Sequence, residues 1–387
     1  MKLFVLTSRI PYPLEKGDKL RIFNQLKGLS KTHTIFLCSI QWPETIIPVE
    51  TKNILLEFCD EIHFVKLSYT KIFFSLIKAI FNREPFQSAL FYDINVQKKI
   101  NKLILNIKPD HIYCQLTRVA KYLVEHDIPK TLDYMDAFSK GMERIANKSS
   151  LISRWFYYWE SNKQKKYESI MMNEFDHHTI ISKEDRSFII HPKQQIIKII
   201  PNGVNFDFFK SFDTTKKYDL VFVGNMGYAP NIDAVKFLCN DILPLIRLKI
   251  PKVKVLIAGA APSQSVKNLQ SKRIIVSGWM KDIREAYAMS EVFIAPMRIG
   301  TGLQNKLLEA MAMNKACVTT DIVNKALLAP PGVICTANTA KELALHCICL
   351  LKNSKQRKII ADNGRIFVKN KYNWDNTINE LNKLLIK

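Results

Sequence analysis

The chain has 387 residues, long for a single core and comfortable for two domains. Its 47% hydrophobic and 24% charged content excludes a disordered chain and predicts a packed globular protein. Lys and Arg outnumber Asp and Glu 57 to 35, for a formal charge of +22. Residues 1–200 hold 30 basic and 21 acidic residues, so the excess runs through both halves and is not a basic tail. Such a surface attracts polyphosphates, anionic membranes and nucleic acid. No RNA- or DNA-binding signature accompanies it, so nucleic acid is not the expected partner. The eight cysteines lack C-x-x-C or Cys/His metal spacing, which predicts reduced thiols, a cytoplasmic location and no metal site. The opening MKLFVLTSRIPYP is broken by Arg9 and Pro11 and is not expected to be a signal peptide. The apolar run 72–81 is interrupted by Lys78, so a soluble or peripheral protein is expected.

In chain order, 3–7 reads as a buried strand. A loop over 8–18, an amphipathic helix over 19–30 and a strand at 34–39 follow. This is the opening of a Rossmann-like sheet. The loop lacks G-x-G-x-x-G and has Gly17 as its only glycine, which speaks against a dinucleotide site. Short strands are predicted at 62–65, 112–114 and 130–133. The last carries Asp133 and Asp136 at its carboxyl end, where ligands gather in open α/β sheets. Two carboxylates there can orient acceptor hydroxyls or act as a base, while helix capping by Asp136 is the plainer reading. Residues 140–175 read as one long helix or two joined ones. Five consecutive aromatics, Trp155 to Trp159, precede Lys163, Lys165 and Lys166. Basic residues with interfacial aromatics mark membrane surfaces. Five in a row cannot share one helix face, so core packing competes with that reading. Strands at 179–182 and 196–200 close a first domain, 1–200. Pro201-Asn202-Gly203 is a turn signal.

The second half alternates more cleanly. Strands are predicted at 220–224, 254–258, 274–277, 292–295 and 316–319, with helices at 231–249, 263–269, 283–289 and 303–313: a second doubly wound sheet over 201–371. Gly224 and Asn225 follow its first strand, where backbone meets ligand. Gly278, Trp279 and Met280 follow its third and can present backbone groups to a nucleotide base. Helices at 341–351 and 356–369 follow. A last helix near 372–387 carries Trp374, Ile378, Leu381 and Leu385 at helical spacing and must dock on something.

The stretch 296–317, PMRIGTGLQNKLLEAMAMNKAC, holds the densest chemistry. A strand enters a loop with Gly300 and Gly302, and a helix begins near Leu303. Glycine-lined backbone with a helix N-terminus makes an anion site. Lys306 and Glu309 lie one turn apart on one face. The cation suits a phosphate and the carboxylate suits sugar hydroxyls; an exposed Lys–Glu pair on an amphipathic helix is the plainer alternative.

GLQNKLLEAMAM resembles the donor-site helix of retaining family 4 glycosyltransferases, and Asn202-Gly203-Val204-Asn205 after Pro201 resembles their mid-chain "PNGVD" segment. The chain is most similar to bacterial sugar transferases of exopolysaccharide and PEP-CTERM/exosortase systems. That likeness rests also on Leu132-Asp133-Tyr134-Met135-Asp136, Phe222-Val223-Gly224-Asn225-Met226 and Pro230-Asn231-Ile232-Asp233-Ala234. The resemblance implies the GT-B fold: two Rossmann-like doubly wound domains facing a central cleft, with the last helix packing back on the first. It implies metal-independent transfer of a hexose-type sugar, with retention and no cofactor, from a nucleotide-diphosphate-sugar to a glycan or lipid-linked acceptor hydroxyl, in exopolysaccharide or other cell-surface glycan synthesis. An anionic inner-membrane face is a further expected partner. The implied catalytic residues are Lys306, Glu309, Asp133 and Asp136. The implied donor-binding residues are Gly17, Gly224, Asn225, Gly278, Trp279, Met280, Arg298, Thr301, Gly302, Leu303 and Asn305.

Two departures stand out. The family's Glu-x7-Glu has Thr301 in its first place, and the Arg and Lys usual after the first strand of the second domain are missing from 226–233. Lys306 or Arg298 is expected to supply that charge. No D-x-D occurs, which speaks against a metal-dependent GT-A enzyme. The rival readings are a nucleotide-sugar 2-epimerase of the same fold and a non-catalytic basic module that binds RNA or polysaccharide.

Overall fold

The computed structural model describes residues 1–14, 16–82, 84–147, 149–299 and 302–386. The chain divides into two compact units. One is Met1–Pro201 with Thr377–Lys387, the other Asn202–Asn376.

The first unit is built on seven parallel strands: β1 (Lys2–Thr7), β2 (Thr34–Gln41), β3 (Glu61–Lys66), β4 (His111–Gln115), β5 (Lys130–Met135), β6 (His177–Ile180) and β7 (Lys198–Ile199). Their order is β3-β2-β1-β4-β5-β6-β7. Parallel strands need crossovers, and the crossover helices cover both sheet faces, so these strands read as near-continuous apolar runs. The two-residue pleat sorts β1: Leu3 and Val5 enter one core, Phe4 and Leu6 the other. Order reverses at β1/β4, and the carboxyl ends there are the natural ligand edge. The tail helix Trp374–Leu385 adds Leu381 and Leu385 to the core holding Leu26 and Leu29. Its Ile378 packs where Gly28 has no side chain; a Cβ there would come 2.1 Å from Ile378 Cδ1.

The second unit has six parallel strands: β8 (Tyr218–Val223), β9 (Val255–Ala258), β10 (Ile274–Gly278), β11 (Ser290–Ala295), β12 (Ala316–Thr319) and β13 (Cys335–Thr336). Their order, β10-β9-β8-β11-β12-β13, reverses at β8/β11. One continuous core joins Leu220 and Phe222 of β8, Ile257 of β9, Phe293 of β11 and Leu307, Leu308 and Met311 of the helix Asn305–Ala312.

Several elements differ from the sequence reading. Of the two readings of 140–175, the two-helix one holds, as Phe138–Ala146 and Leu151–Glu174, though the first begins earlier than expected. The 231–249 helix starts at Ala229 and contains a π-turn at Leu238–Ile242 before Leu243–Arg247. Pro244 lacks a backbone donor, and the wider turn accommodates the lost bond. The strand Cys335–Thr336 and the helix Asp321–Leu327 were not anticipated; neither is long enough to display a period.

Candidate active site

In the second unit, three glycines stand side by side at the carboxyl ends of β8, β9 and β10. Gly224 N–H donates to the Ala258 carbonyl at 3.0 Å, and Gly259 N–H to the Gly278 carbonyl at 3.0 Å. Gly259 has φ +136°, and a Cβ there would lie 1.8 Å from the Gly224 oxygen. Only glycine permits that backbone approach. Gly278 has φ +68° with open space around it, beside an exposed Trp279; Met280 is half-buried against the core. Across the edge, β11 ends at Ala295, Gly302 takes φ +92°, and the helix Asn305–Ala312 begins just after it. Leu303 packs on the core, so its contribution to a ligand is its backbone.

Lys306 is on the first turn of that helix, half-buried. Its Nζ donates to Asn231 Oδ1, lies 3.8 Å from Met297 Sδ and stands 4.7 Å from the Phe222 ring centroid. Amide, thioether and ring contacts solvate an ammonium poorly. Desolvation pulls its pKa down to about 7, partly offset by the Glu309 carboxylate. Glu309 Oε2 accepts the Tyr287 hydroxyl at 2.8 Å, and burial pushes its pKa up against the pull of Tyr287 and Lys306. Asn231 also donates through Nδ2 to the Asn225 carbonyl at 2.8 Å, while Asn225 Oδ1 accepts Gly227 N–H at 2.9 Å. Asn231 thus ties the β8 loop to Lys306. Asn305 Oδ1 accepts Asn202 Nδ2 at 3.2 Å, joining the Pro201-Asn202-Gly203 turn to the helix start.

Arg298 is paired with a carboxylate. Its guanidinium is bidentate to Asp233, at 2.7 and 3.1 Å, and lies over the Phe237 ring at 4.3 Å. In this structure its guanidinium is engaged by Asp233 rather than turned to Lys306 and the glycine-lined edge. Thr301 lies outside the described residues.

In the first unit, Asp133 requires a correction. It is fully buried, accepting Arg21 Nε at 2.6 Å and Arg21 Nη2 at 3.0 Å, Thr179 Oγ1 at 2.8 Å and Tyr113 OH at 3.2 Å. It fastens β5 to the helix Gly17–Leu29 and cannot meet an acceptor. Asp136 is the carboxylate that reaches solvent, after Met135 takes φ +65°. Although the residue keeps surface in solvent, the protein packed around its carboxyl removes part of its hydration and Asp185 and Asp18 repel its charge, against Arg118 and Arg144, so its pKa is pushed up to about 7. Gly17 starts its helix beside this point: a Cβ there would lie 3.6 Å from Met135 Cε. Arg118 stands behind, with Nε unbonded and its guanidinium 4.6 Å from the Phe138 ring centroid. The loops after β1 and β2 enclose a cavity of about 230 Å³ lined by Arg9, Tyr12, Lys16, Gln41 and Trp42 among others. Ser8 Oγ, Gln41 Oε1 and Thr51 Oγ1 are buried there without a partner. Hydroxyl, amide and aromatic groups together suit a sugar ring.

Sequence reasoning did not assign Asn231, Tyr287, Gly259 or Arg118. Asn231 stood inside a quoted segment, but no spacing rule links it to a lysine 75 residues on. Among the described residues no group of three His, Cys, Asp or Glu is placed to hold a metal ion.

Residues 217–353 match the family described as Glycosyl transferases group 1. A 44.6 kDa protein in the cps region of Klebsiella pneumoniae is 24% identical over 395 residues, covering 96% of each chain. An uncharacterized glycosyltransferase of Methanocaldococcus jannaschii is 23% identical over 272 residues, covering 65% of this chain and 66% of that one. Among solved structures, Anabaena HepE in complex with UDP superposes with a TM-score of 0.70 at 13% identity over the whole of both chains. The fold is therefore GT-B, and the stretch that matches glycosyl transferases group 1 lies within its second unit.

Proposed function

We infer that this chain is a glycosyltransferase that moves a sugar from a nucleotide-diphosphate-sugar to an acceptor hydroxyl, with retention, in the assembly of a cytoplasmically made polysaccharide. The observation that carries the reading is Lys306. Its ammonium stands at a glycine-lined edge with an amide, a thioether and a ring for company, and among the described residues no carboxylate forms an ion pair with it. A diphosphate is the partner that such a cation lacks. As the sugar–phosphate bond breaks, charge grows on the leaving diphosphate, and Lys306 with the backbone N–H groups near Gly302 stabilises it. Glu309, held through one oxygen by Tyr287, receives ribose hydroxyls on the other. On the acceptor side, Asp136 and the cavity after β1 and β2 receive the glycan. The family match, a relative in a cps region, and HepE complexes with UDP and with UDP and glucose support the reading.

The experiment is a panel of nucleotide-sugars with and without glycan and lipid-linked acceptors, products read by mass spectrometry. Acceptor-dependent transfer is expected, and Lys306→Met should lower it on the order of a hundredfold or more. A new sugar epimer formed without acceptor, or undiminished transfer by Lys306→Met, would count against this assignment.

A further inference from the structure

The helix Tyr69–Phe81 of the first unit, YTKIFFSLIKAIF, buries only Ile72 and Ala79. At 100° per residue, Tyr69, Ile80, Phe73, Ile77, Phe81 and Phe74 fall on one continuous arc of roughly 140°. All six are exposed, Phe81 by 83%, Phe73 by 61% and Phe74 by 59%. Lys71 and Lys78 fall next to that arc and are exposed, and the helix itself has no acidic residue. Glu44 meets the Tyr69 hydroxyl at its start.

The helix Leu151–Glu174 continues the patch. Lys163 Nζ donates to the Ala79 and Asn82 carbonyls, fastening it to the end of the 69–81 helix. Phe86 packs on Phe156 and Trp159, with ring centroids 5.7 and 5.4 Å away. Trp155 stacks on Trp159 and is 71% exposed, with Leu151 and Arg154 also exposed beyond it. Lys165 is engaged by Glu143 at 3.3 Å. The aromatic run is thus divided between packing and surface, and the larger apolar face belongs to the 69–81 helix.

We propose that this face, with Leu151 and Trp155, docks the chain on an anionic lipid surface by lying in the headgroup layer. An amphipathic helix with aromatic and aliphatic residues on one face and lysines at its margin has the chemistry of that layer. Charge selects this occupant over a second copy. A copy would bring another +22 and another lysine margin against the first, whereas anionic headgroups neutralise them. Among the described residues no helix is long and apolar enough to cross a membrane, so attachment is at the surface. Docking is independent of the sugar-transfer reading and is measured without donor or acceptor.

The test is co-sedimentation of the full chain with vesicles of phosphatidylglycerol and phosphatidylcholine, or of phosphatidylcholine alone, beside light scattering without lipid. The expected result is binding to the anionic vesicles, with a bound-to-free ratio at least about tenfold lower on neutral ones. Phe73→Ser with Phe74→Ser and Phe81→Ser should lower it tenfold or more at unchanged melting temperature, since those side chains are exposed. Lys71→Glu with Lys78→Glu should weaken only the anionic binding. Equal recovery in the supernatant with both vesicle types overturns the proposal. So does a parent dimer that the triple variant splits while vesicle binding stays unchanged.

Discussion

Lys306 and Asp136 both have pKa values displaced to about 7, from opposite directions. Lys306 is lowered from 10.5, so between about pH 7 and 10 the free site is largely neutral. A bound diphosphate restores the charge, so binding must take up a proton. Calorimetry of UDP binding at pH 8 in buffers of different ionisation heat should show that uptake, and Lys306→Arg should abolish it. Unchanged uptake would mean that Lys306 does not face the phosphates. Asp136 is raised from 3.8, so ionising it costs folded-state stability as pH rises from about 4 to 7. Asp136→Asn should therefore leave stability unchanged at pH 4 and raise it at pH 8, while lowering transfer. Asp133→Asn should instead lower stability outright. Losing one partner of a fully buried ion pair costs about 3–5 kcal/mol, a marked fall in melting temperature. Equal melting curves for the two Asn variants would refute this division. From the sequence both carboxylates looked alike, three residues apart at a strand end. What separates them is Arg21, 112 residues away, which no local pattern connects to β5.

At the scale of elements, alternating strands and helices were legible because each parallel strand is a short apolar run with a crossover after it. The Lys306–Glu309 pair was legible too, since one helical turn places both on one face. The role of Gly259 was not. It ends an ordinary apolar strand, and its demand for φ +136° arises from the neighbouring Gly224 carbonyl on β8. Gly259→Ala should force β8 and β9 apart at the donor edge. The expected outcome is a loss of several kcal/mol or an insoluble chain, the usual scale of backbone strain and steric overlap. Gly278→Ala meets nothing within 4 Å and carries only the strain of φ +68°. It should melt closer to the parent; if it proved the more damaging, the edge geometry would be wrong. The 69–81 helix failed to declare itself for the opposite reason. Its apolar period is the same whether the face is covered by protein or by lipid.

Across the whole molecule, the groups proposed to hold donor and acceptor fall in different units, each with its own sheet and core. The proposed nucleotide edge is drawn from loops after β8, β9, β10 and β11, and the proposed acceptor groups from loops after β1, β2, β4 and β5. Ligand linkage makes that assignment measurable: a ligand held at 100 times its Kd stabilises the folded state by about 2.7 kcal/mol. The backbone amides it touches should also exchange more slowly. Hydrogen exchange of the full chain with saturating UDP should slow most at 224–226, 259–261, 278–280 and 302–307. Addition of a competent glycan acceptor should then slow 8–14, 16–18 and 136–139. The charge of +22 adds a condition: UDP affinity should fall with salt, because the Debye length shrinks from about 10 Å at 0.1 M to about 3 Å at 1 M. Lys306, half-buried, is screened less than surface lysines, so part of the affinity should survive at high salt in the parent and vanish in Lys306→Met. Protection by UDP confined to the loops after β1 and β4 would move the donor site to the first unit and end the present assignment of Lys306.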